Sequence, residues 1–253
     1  MANDFTVTRQ MIDRLEPWLE HLLNPLLPLQ RVRHEDGSFH WEFTEQTPRA
    51  LQVGKAVRMI SGIRAALLLA DSGYVVECYS LLRMVSDFAQ EIIAIAEALL
   101  EERFTEPQER FVRQYYIPIA ESADEYEQQE RERYVSREEL LKAHFRLDEQ
   151  VTRDATTLRK LMRFVNYTYD KYVHGAYLTS MELYHGDRQN FMLRGHEADL
   201  HRRIAKASVA GKLHEVCHSL AFTALAAGDR ALSEEITLAL NELEKSDEQS
   251  MPS

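Results

Sequence analysis

The sequence predicts an all-α fold: an up-and-down helical bundle with extra C-terminal helices and a small N-terminal β-hairpin. Glycine and proline are sparse, with 9 and 7 residues in a chain of 253, and they separate long segments of mixed apolar and polar residues. Within these segments apolar residues recur at helical spacing, as Val57, Ile60 and Ile63 do. These two observations, and the rarity of strand-like alternation, favour helices throughout.

The elements are predicted in order along the chain. A first helix covers 4–23 and ends at Asn24-Pro25. The alternation of aromatic residues at 39, 41 and 43, after Asp36-Gly37, predicts a hairpin or, equally well, an aromatic-anchored loop. Trp18 and Trp41 are predicted to anchor the core. Further helices are predicted at 54–73, at 75–103, and from 105 onward with a kink or break at Pro118. Others are predicted at 137–147, at about 154–174 with an end at Gly175 or, if the helix continues, at Gly186, and at 196–210, 212–227 and 230–245.

Two of these helices have sequence-encoded starts. Thr105 with Gln108, and Ser136 with Glu139, have the spacing of capping boxes. The predicted organisation is an appendage at 1–53 that holds the first helix and the hairpin or loop, a helical bundle domain at 54–245 and a disordered tail at 246–253.

Composition excludes several classes of protein. The formal net charge of −11 disfavours a protein coated in nucleic acid, although local basic surfaces are compatible with it. No apolar run approaches the roughly 18 residues that a membrane span needs. The start MANDFTVTRQ lacks the build of a signal peptide. Two cysteines, Cys78 and Cys217, form no disulfide framework, so we expect a reduced, cytoplasmic setting and no membrane partner.

The segment RFVNYTYDKYVHGAY at 163–177 carries unusual polar chemistry. On a helical wheel, Arg163, Asn166, Asp170 and His174 share one stripe. A guanidinium, an amide, a carboxylate and an imidazole on successive turns can form hydrogen bonds, transfer a proton and hold an anion. The stripe is therefore a candidate site.

An earlier helix carries a second pair of charges. Arg83 and Asp87 lie four residues apart in the apolar segment YSLLRMVSDFAQEI. Buried charges require partners, so these two either pair on one helix face or meet the 163–177 stripe across the bundle.

The segments LLRMVSDFAQEI and YDKYVHGAY resemble the bacterial HEPN-like helical proteins, over about residues 55–180. The resemblance implies a helical bundle that often dimerises, and a role in binding or cleaving RNA in stress or phage defence. The site it implies has His174 as acid/base or hydrogen-bonding centre, Arg83 as phosphate or carboxylate clamp, and Asp87, Asn166 and Asp170 as orienting groups.

The sequence departs from the catalytic branch of that family. The resemblance implies an Arg separated from the catalytic His by four to six intervening residues, yet the corresponding positions 167–169 hold Tyr, Thr and Tyr. Four other Arg–His pairs have this spacing, close to the number that chance produces. A non-catalytic helical dimer or adaptor that binds a protein partner is therefore the first alternative, in which the polar stripe fixes helix register. No cofactor is expected for either hypothesis.

A further alternative is a zinc-dependent hydrolase. His214, Glu215 and His218 form a literal H-E-x-x-H motif, with two imidazoles one helical turn apart and a Glu placed to activate water. The third ligand would come from Glu234, Glu235 or Glu242 on the next helix.

Overall fold

Helix is the dominant element, as predicted, and the fold is all-α. The computed structural model describes residues 5–34, 36–117, 135–136, 139–140, 164, 167–185 and 188–250. The helices are α1 (Thr6–Leu23), α2 (Pro48–Asp71), α3 (Val75–Leu100), α4 (Glu106–Tyr115), α5 (167–173), α6 (Tyr177–Met181), α7 (Asp199–Ala226) and α8 (Arg230–Ser250). The strands are β1 (Leu29–Arg33), β2 (Phe39–Phe43), β3 (Tyr184–His185) and β4 (Asn190–Phe191).

The core lies between the long helices α2, α3 and α7. Each of the three contacts the other two, and α8 and α1 pack against α7. Short turns connect α2 to α3 and α7 to α8, so each of these pairs runs up and down. The core includes Met59 and Ile63 of α2, Leu82 of α3 and Leu213 and Leu220 of α7.

The predicted boundary between residues 53 and 54 falls inside α2. Thr47 caps this helix by accepting a hydrogen bond from the Ala50 amide, and Pro48 occupies its first turn. The helix α1 buries Leu15 and Trp18 in the common core, so it belongs to the bundle and the appendage consists of the hairpin alone. Trp18 is the core anchor that the sequence predicts.

The prediction of two helices at 196–210 and 212–227 is wrong. A single helix, α7, runs through Gly211. One glycine costs a helix about 1 kcal/mol relative to alanine. Burial of Val209 and Leu213 on either side holds the helix together across it. At the C-terminus α8 continues to Ser250, beyond the predicted end at 245, because residues 244–250 contain no Gly or Pro.

Both predicted capping boxes form. Thr105 and Gln108 exchange capping hydrogen bonds at the start of α4. The Ser136 amide donates to Glu139 Oε2 at 2.9 Å, and the Glu139 amide donates to Ser136 Oγ at 3.3 Å. Of the helix predicted at 137–147 the structure describes only 139–140, and of the first part of that at 154–174 only 164, and these positions are helical.

The N-terminal hairpin also forms, and it corrects one prediction. Strands β1 and β2 pair antiparallel from Leu29–Phe43 to Arg33–Phe39. Trp41 is 60% exposed and is no core anchor, because the hairpin projects from the bundle and only its base, at Phe43, packs against the core. A second small pairing, of β3 with β4, was not predicted.

The turn between α2 and α3 holds the 195–196 loop in place. The amide of His196 donates to the carbonyl of Gly73 at 2.7 Å. Gly73 has φ +83°, and a side chain there would meet the His196 carbonyl oxygen, so only glycine fits. Across the described ranges, no helix combines the length and apolarity that crossing a membrane requires.

Candidate functional site: a polar seam between three helices

Arg83 is held by two carboxylates from different helices. Its guanidinium contacts Asp87 one turn along α3, and its Nε donates to Asp170 Oδ1 of α5 at 2.7 Å. The Arg83 side chain is only 12% exposed, whereas that of Asp170 is 44% exposed. Both interpretations of the Arg83–Asp87 pair are therefore correct. The two residues pair on one face of α3, and that face contacts Asp170 of the 163–177 stripe.

This ion triad is one end of a larger polar cluster, which we call the polar seam. The seam lies where α3, α5 and α7 meet. Its members are Tyr79, Arg83, Ser86 and Asp87 of α3, Tyr169 and Asp170 of α5, and Lys212 and Glu215 of α7.

The second half of the seam is a buried network around Lys212. The residue is 5% exposed. Its Nζ contacts the carboxylate of Glu215 one turn along α7 and lies 3.3 Å from Ser86 Oγ. Ser86 Oγ donates to the other oxygen of Glu215 at 2.7 Å. The ammonium also lies 5.1 Å from the centre of the Tyr169 ring, a cation–π distance. The buried charge is thus paired and hydrogen-bonded, as burial requires.

Tyrosines connect the two halves of the seam. The Tyr79 ring lies 6.0 Å from that of Tyr169 and 4.7 Å from that of Tyr172. Burial raises the pKa of Tyr169 to about 12, and burial also raises the pKa of Tyr79 and Tyr172. These phenols therefore keep their protons at neutral pH, and the Tyr172 hydroxyl donates a hydrogen bond to Glu182 at 3.0 Å.

The remaining members of the predicted site are His174, which the structure describes, and Asn166, which it does not. His174 is exposed at the end of α5, where its amide donates to the carbonyl of Asp170. In the described part of the chain, no hydrogen bond or ion pair joins His174 to Arg83. Asn166 and Arg163 lie outside the described residues. The structure therefore joins the side chains of Arg83, Asp87 and Asp170 but not that of His174.

The H-E-x-x-H motif adopts the predicted helical placement but not a metal geometry. His218 is exposed, and the carboxylate of Glu215 is directed into the seam, towards Ser86 and Lys212. Two of the proposed third ligands are engaged elsewhere: Glu235 accepts from Trp18 at 2.7 Å and Glu242 from Arg14 at 3.3 Å. Among the residues that the structure describes, no group of three or more His, Cys, Asp or Glu could hold a metal ion.

Three of the four other Arg–His pairs with nuclease spacing lie within the described residues, and in none of the three does the Arg bond to its His. His40 and Arg33 belong to neighbouring strands but to opposite faces of the hairpin, because His40 pairs with Val32. His201 stacks on His196 with ring centres 4.4 Å apart. Arg14 and His21 each pair with a separate carboxylate on the surface, and Arg137 and His144 lie outside the described residues.

A cleft of about 600 Å³ is lined by Glu182, His185, His196, Glu197 and His201. Glu182 accepts the hydrogen bond of Tyr172, which links the cleft to the tyrosines of the seam. His196 is 3% exposed, and burial lowers its pKa, followed by the effect of neighbouring His201. The imidazole is therefore neutral at pH 7, and the carboxylate of Glu197 is held by Arg188 at 2.9 Å.

Comparison of the chain with models of protein families, with curated proteins and with solved structures found no match.

The sequence indicated the ion triad of Arg83, Asp87 and Asp170 but not the buried network around Lys212. Lys212 lies three residues after the buried Val209 and four before the buried Val216, so it shares their helix face. A lysine on an apolar face, with Glu215 three residues on, indicates a buried ion pair. Ser86 gives no such indication, because its role depends on a partner 129 positions away.

Proposed function

We propose that the chain is a HEPN-like helical module that binds RNA without cleaving it. The observation that carries the absence of cleavage in this proposal is the position of Arg83 between Asp87 and Asp170. A phosphate clamp needs a guanidinium whose donors face the ligand, and here two carboxylates engage them. With one cation and two anions, the triad has a net charge of −1 and disfavours phosphate.

The seam is better suited to fixing helix positions than to chemistry. Its contacts join α5 to α3 at Asp170, and α7 to α3 at Ser86. Buried ion pairs of this kind can specify one arrangement of helices over others. Ser86 and Lys212 are buried, so a substrate has no access to either side chain.

RNA as the partner is supported by the resemblance over residues 55–180, which also implies a homodimer. We place the protein in the cytoplasm because both cysteines are free thiols in the core. A role in stress or phage defence belongs to the same proposal and rests on the resemblance alone.

Two alternatives each have one supporting observation. A ribonuclease centred on His174 is favoured by the exposure of that side chain one turn beyond Asp170. A protein-binding adaptor is favoured by Tyr177, Leu178 and Leu193, which are each at least 75% exposed.

The proposal is tested with end-labelled RNA of mixed sequence in excess EDTA. We expect the parent protein to retard the RNA and leave it intact, and His174→Ala to behave identically. His218→Ala is the matched control, since it removes an exposed histidine from a different helix. Cleavage by the parent and the control but not by His174→Ala would establish the ribonuclease instead. Intact RNA with no retardation would reject RNA as the partner and favour the adaptor.

A further inference from the structure

The N-terminal hairpin presents two chemically different faces. Residues directly opposite in an antiparallel pair share a face, so Arg31 pairs with Trp41, and Arg33 with Phe39, on one side. We call this side the arginine–aromatic face.

The side chains of this face lie open to solvent in close contact with one another. Phe39 is 47% and Trp41 is 60% exposed. The guanidinium of Arg31 lies 3.7 Å from the centre of the Phe39 ring, and the Phe39 and Trp41 rings meet edge to face at 6.2 Å. Two apolar rings left in water on a projecting hairpin contribute nothing to the core, so the bundle itself gives no reason for them.

Among the described residues, the acidic groups of the hairpin lie elsewhere. On the opposite face, His40 contacts Glu42 at 2.7 Å, and Gln30 donates to the same carboxylate at 3.4 Å. At the turn, Asp36 accepts from the Ser38 amide at 2.8 Å. Between the described residues, no ion pair involves Arg31 or Arg33. The arginine–aromatic face is therefore locally cationic on a protein whose net charge is −11.

We propose that the arginine–aromatic face binds single-stranded RNA, with bases stacked on Trp41 and Phe39 and phosphates contacted by Arg31 and Arg33. Aromatic rings stack with any unpaired base, and arginine both contacts phosphate and stacks on a ring. Alternate residues of a strand lie roughly 7 Å apart, so the two guanidinium groups can contact successive phosphates of an extended strand.

Charge and shape favour this ligand over the other classes of partner. A protein-binding surface would need a continuous apolar patch, and here an arginine directly opposite each ring interrupts it. A duplex offers no open base faces for the rings. The inference rests on the proposed function, because it assigns the RNA-binding surface of the same protein.

The test measures binding of a fluorescent 12-nucleotide RNA of mixed sequence by anisotropy, with the full chain at low salt. Trp41→Ala should weaken binding about 10-fold, since one stacked base is lost. Trp41→Phe should retain most of the affinity of the parent. The double variant Arg31→Ala/Arg33→Ala should weaken binding to a similar extent and make it less dependent on salt. The matched control is His40→Ala, on the same strand and the opposite face. Thermal melting confirms that each variant folds.

Each outcome decides between the hypotheses. Loss in the Trp41→Ala and arginine variants but not in His40→Ala supports the inference. Parent-like binding by every variant overturns the inference and leaves RNA binding to another surface. Equal affinity for a duplex of the same sequence overturns the stacking argument. Absence of binding by the parent overturns both proposals, and Trp41-dependent binding to vesicles of phosphatidylserine and phosphatidylcholine would then identify a membrane surface.

Discussion

Arg83 Nε donates a hydrogen bond to Asp170 Oδ1 at 2.7 Å, and this bond joins two helices across 87 positions of the chain. Asp170 is half exposed, while Arg83 is nearly buried and depends on its carboxylate partners. We therefore expect loss of this bond to affect the packing of α5 against the bundle more than the free energy of unfolding of the whole protein.

The first prediction concerns this bond. Asp170→Ala should lower the free energy of unfolding by about 1 kcal/mol, because Arg83 keeps Asp87 as a partner. It should also speed hydrogen exchange in 167–173, since α5 loses its polar link to α3. Urea denaturation and exchange measured by mass spectrometry check the two effects. Lys171→Ala, next to it on the exposed side of α5, is the control. Equal exchange in both variants would show that the bond does not hold α5.

The second prediction concerns the buried network. Lys212→Ala should lower the free energy of unfolding by about 3 kcal/mol, because it opens a cavity and leaves Glu215 without its cation. Lys212→Met with Glu215→Leu should be less damaging than Lys212→Ala, since both charges and their desolvation are removed together. Urea denaturation of Lys212→Met, of Glu215→Leu and of the variant with both substitutions gives the coupling energy between the two residues. A coupling near zero would mean that the pair is not a unit.

Much of the fold could be predicted from local chemistry. Helix periods, the two capping boxes and the turn at Asp36-Gly37 each depend on residues close in sequence, and each was confirmed. The failures have one physical cause. The sequence predicts a helix end at Gly211 and a core position for Trp41. In the structure, tertiary packing keeps α7 continuous across Gly211, and Trp41 lies exposed on the hairpin.

The site was predictable only in part for a similar reason. Arg83 and Asp87 could be found because charges within apolar periods require partners, and Asp170 because it shares the polar stripe of 163–177. Arg83 bonds to Asp170 and not to His174 because of the position and rotation of α5 relative to α3. Local residue spacing does not determine that placement. Lys212 was predictable from its helix face but was not recognised.

The third prediction is a pH dependence that originates at Asp71. Burial alone would raise the pKa of this carboxyl, but Lys206 and Arg9, at 2.6 and 2.5 Å, outweigh it and hold the pKa below its ordinary 3.8. A lowered pKa in the folded state means that the stabilisation is complete above about pH 4. It is lost as the pH falls through the folded-state pKa.

Asp71→Asn should therefore be less stable than the parent at pH 7, by about 1 kcal/mol, and the difference should shrink below pH 4. Urea denaturation at pH 7, 5, 4 and 3 measures it. Asp13→Asn, an exposed carboxylate on α1, is the control and should show little difference at any pH. A difference for Asp71→Asn that stays constant down to pH 3 would contradict the assignment.

The fourth prediction contrasts two glycines inside helices. A Cβ at Gly211 of α7 would meet no atom within 4 Å, so Gly211→Ala should stabilise the protein by about 0.5–1 kcal/mol through helix propensity. A Cβ at Gly62 of α2 would lie 2.8 Å from Met84 Cε and 3.0 Å from Val85 Cγ2. Gly62→Ala should therefore destabilise by about 1–3 kcal/mol, because α2 and α3 must separate slightly. Thermal and urea denaturation of the two variants should move in opposite directions. A loss of stability in Gly211→Ala would show that the surface of α7 at this position is covered.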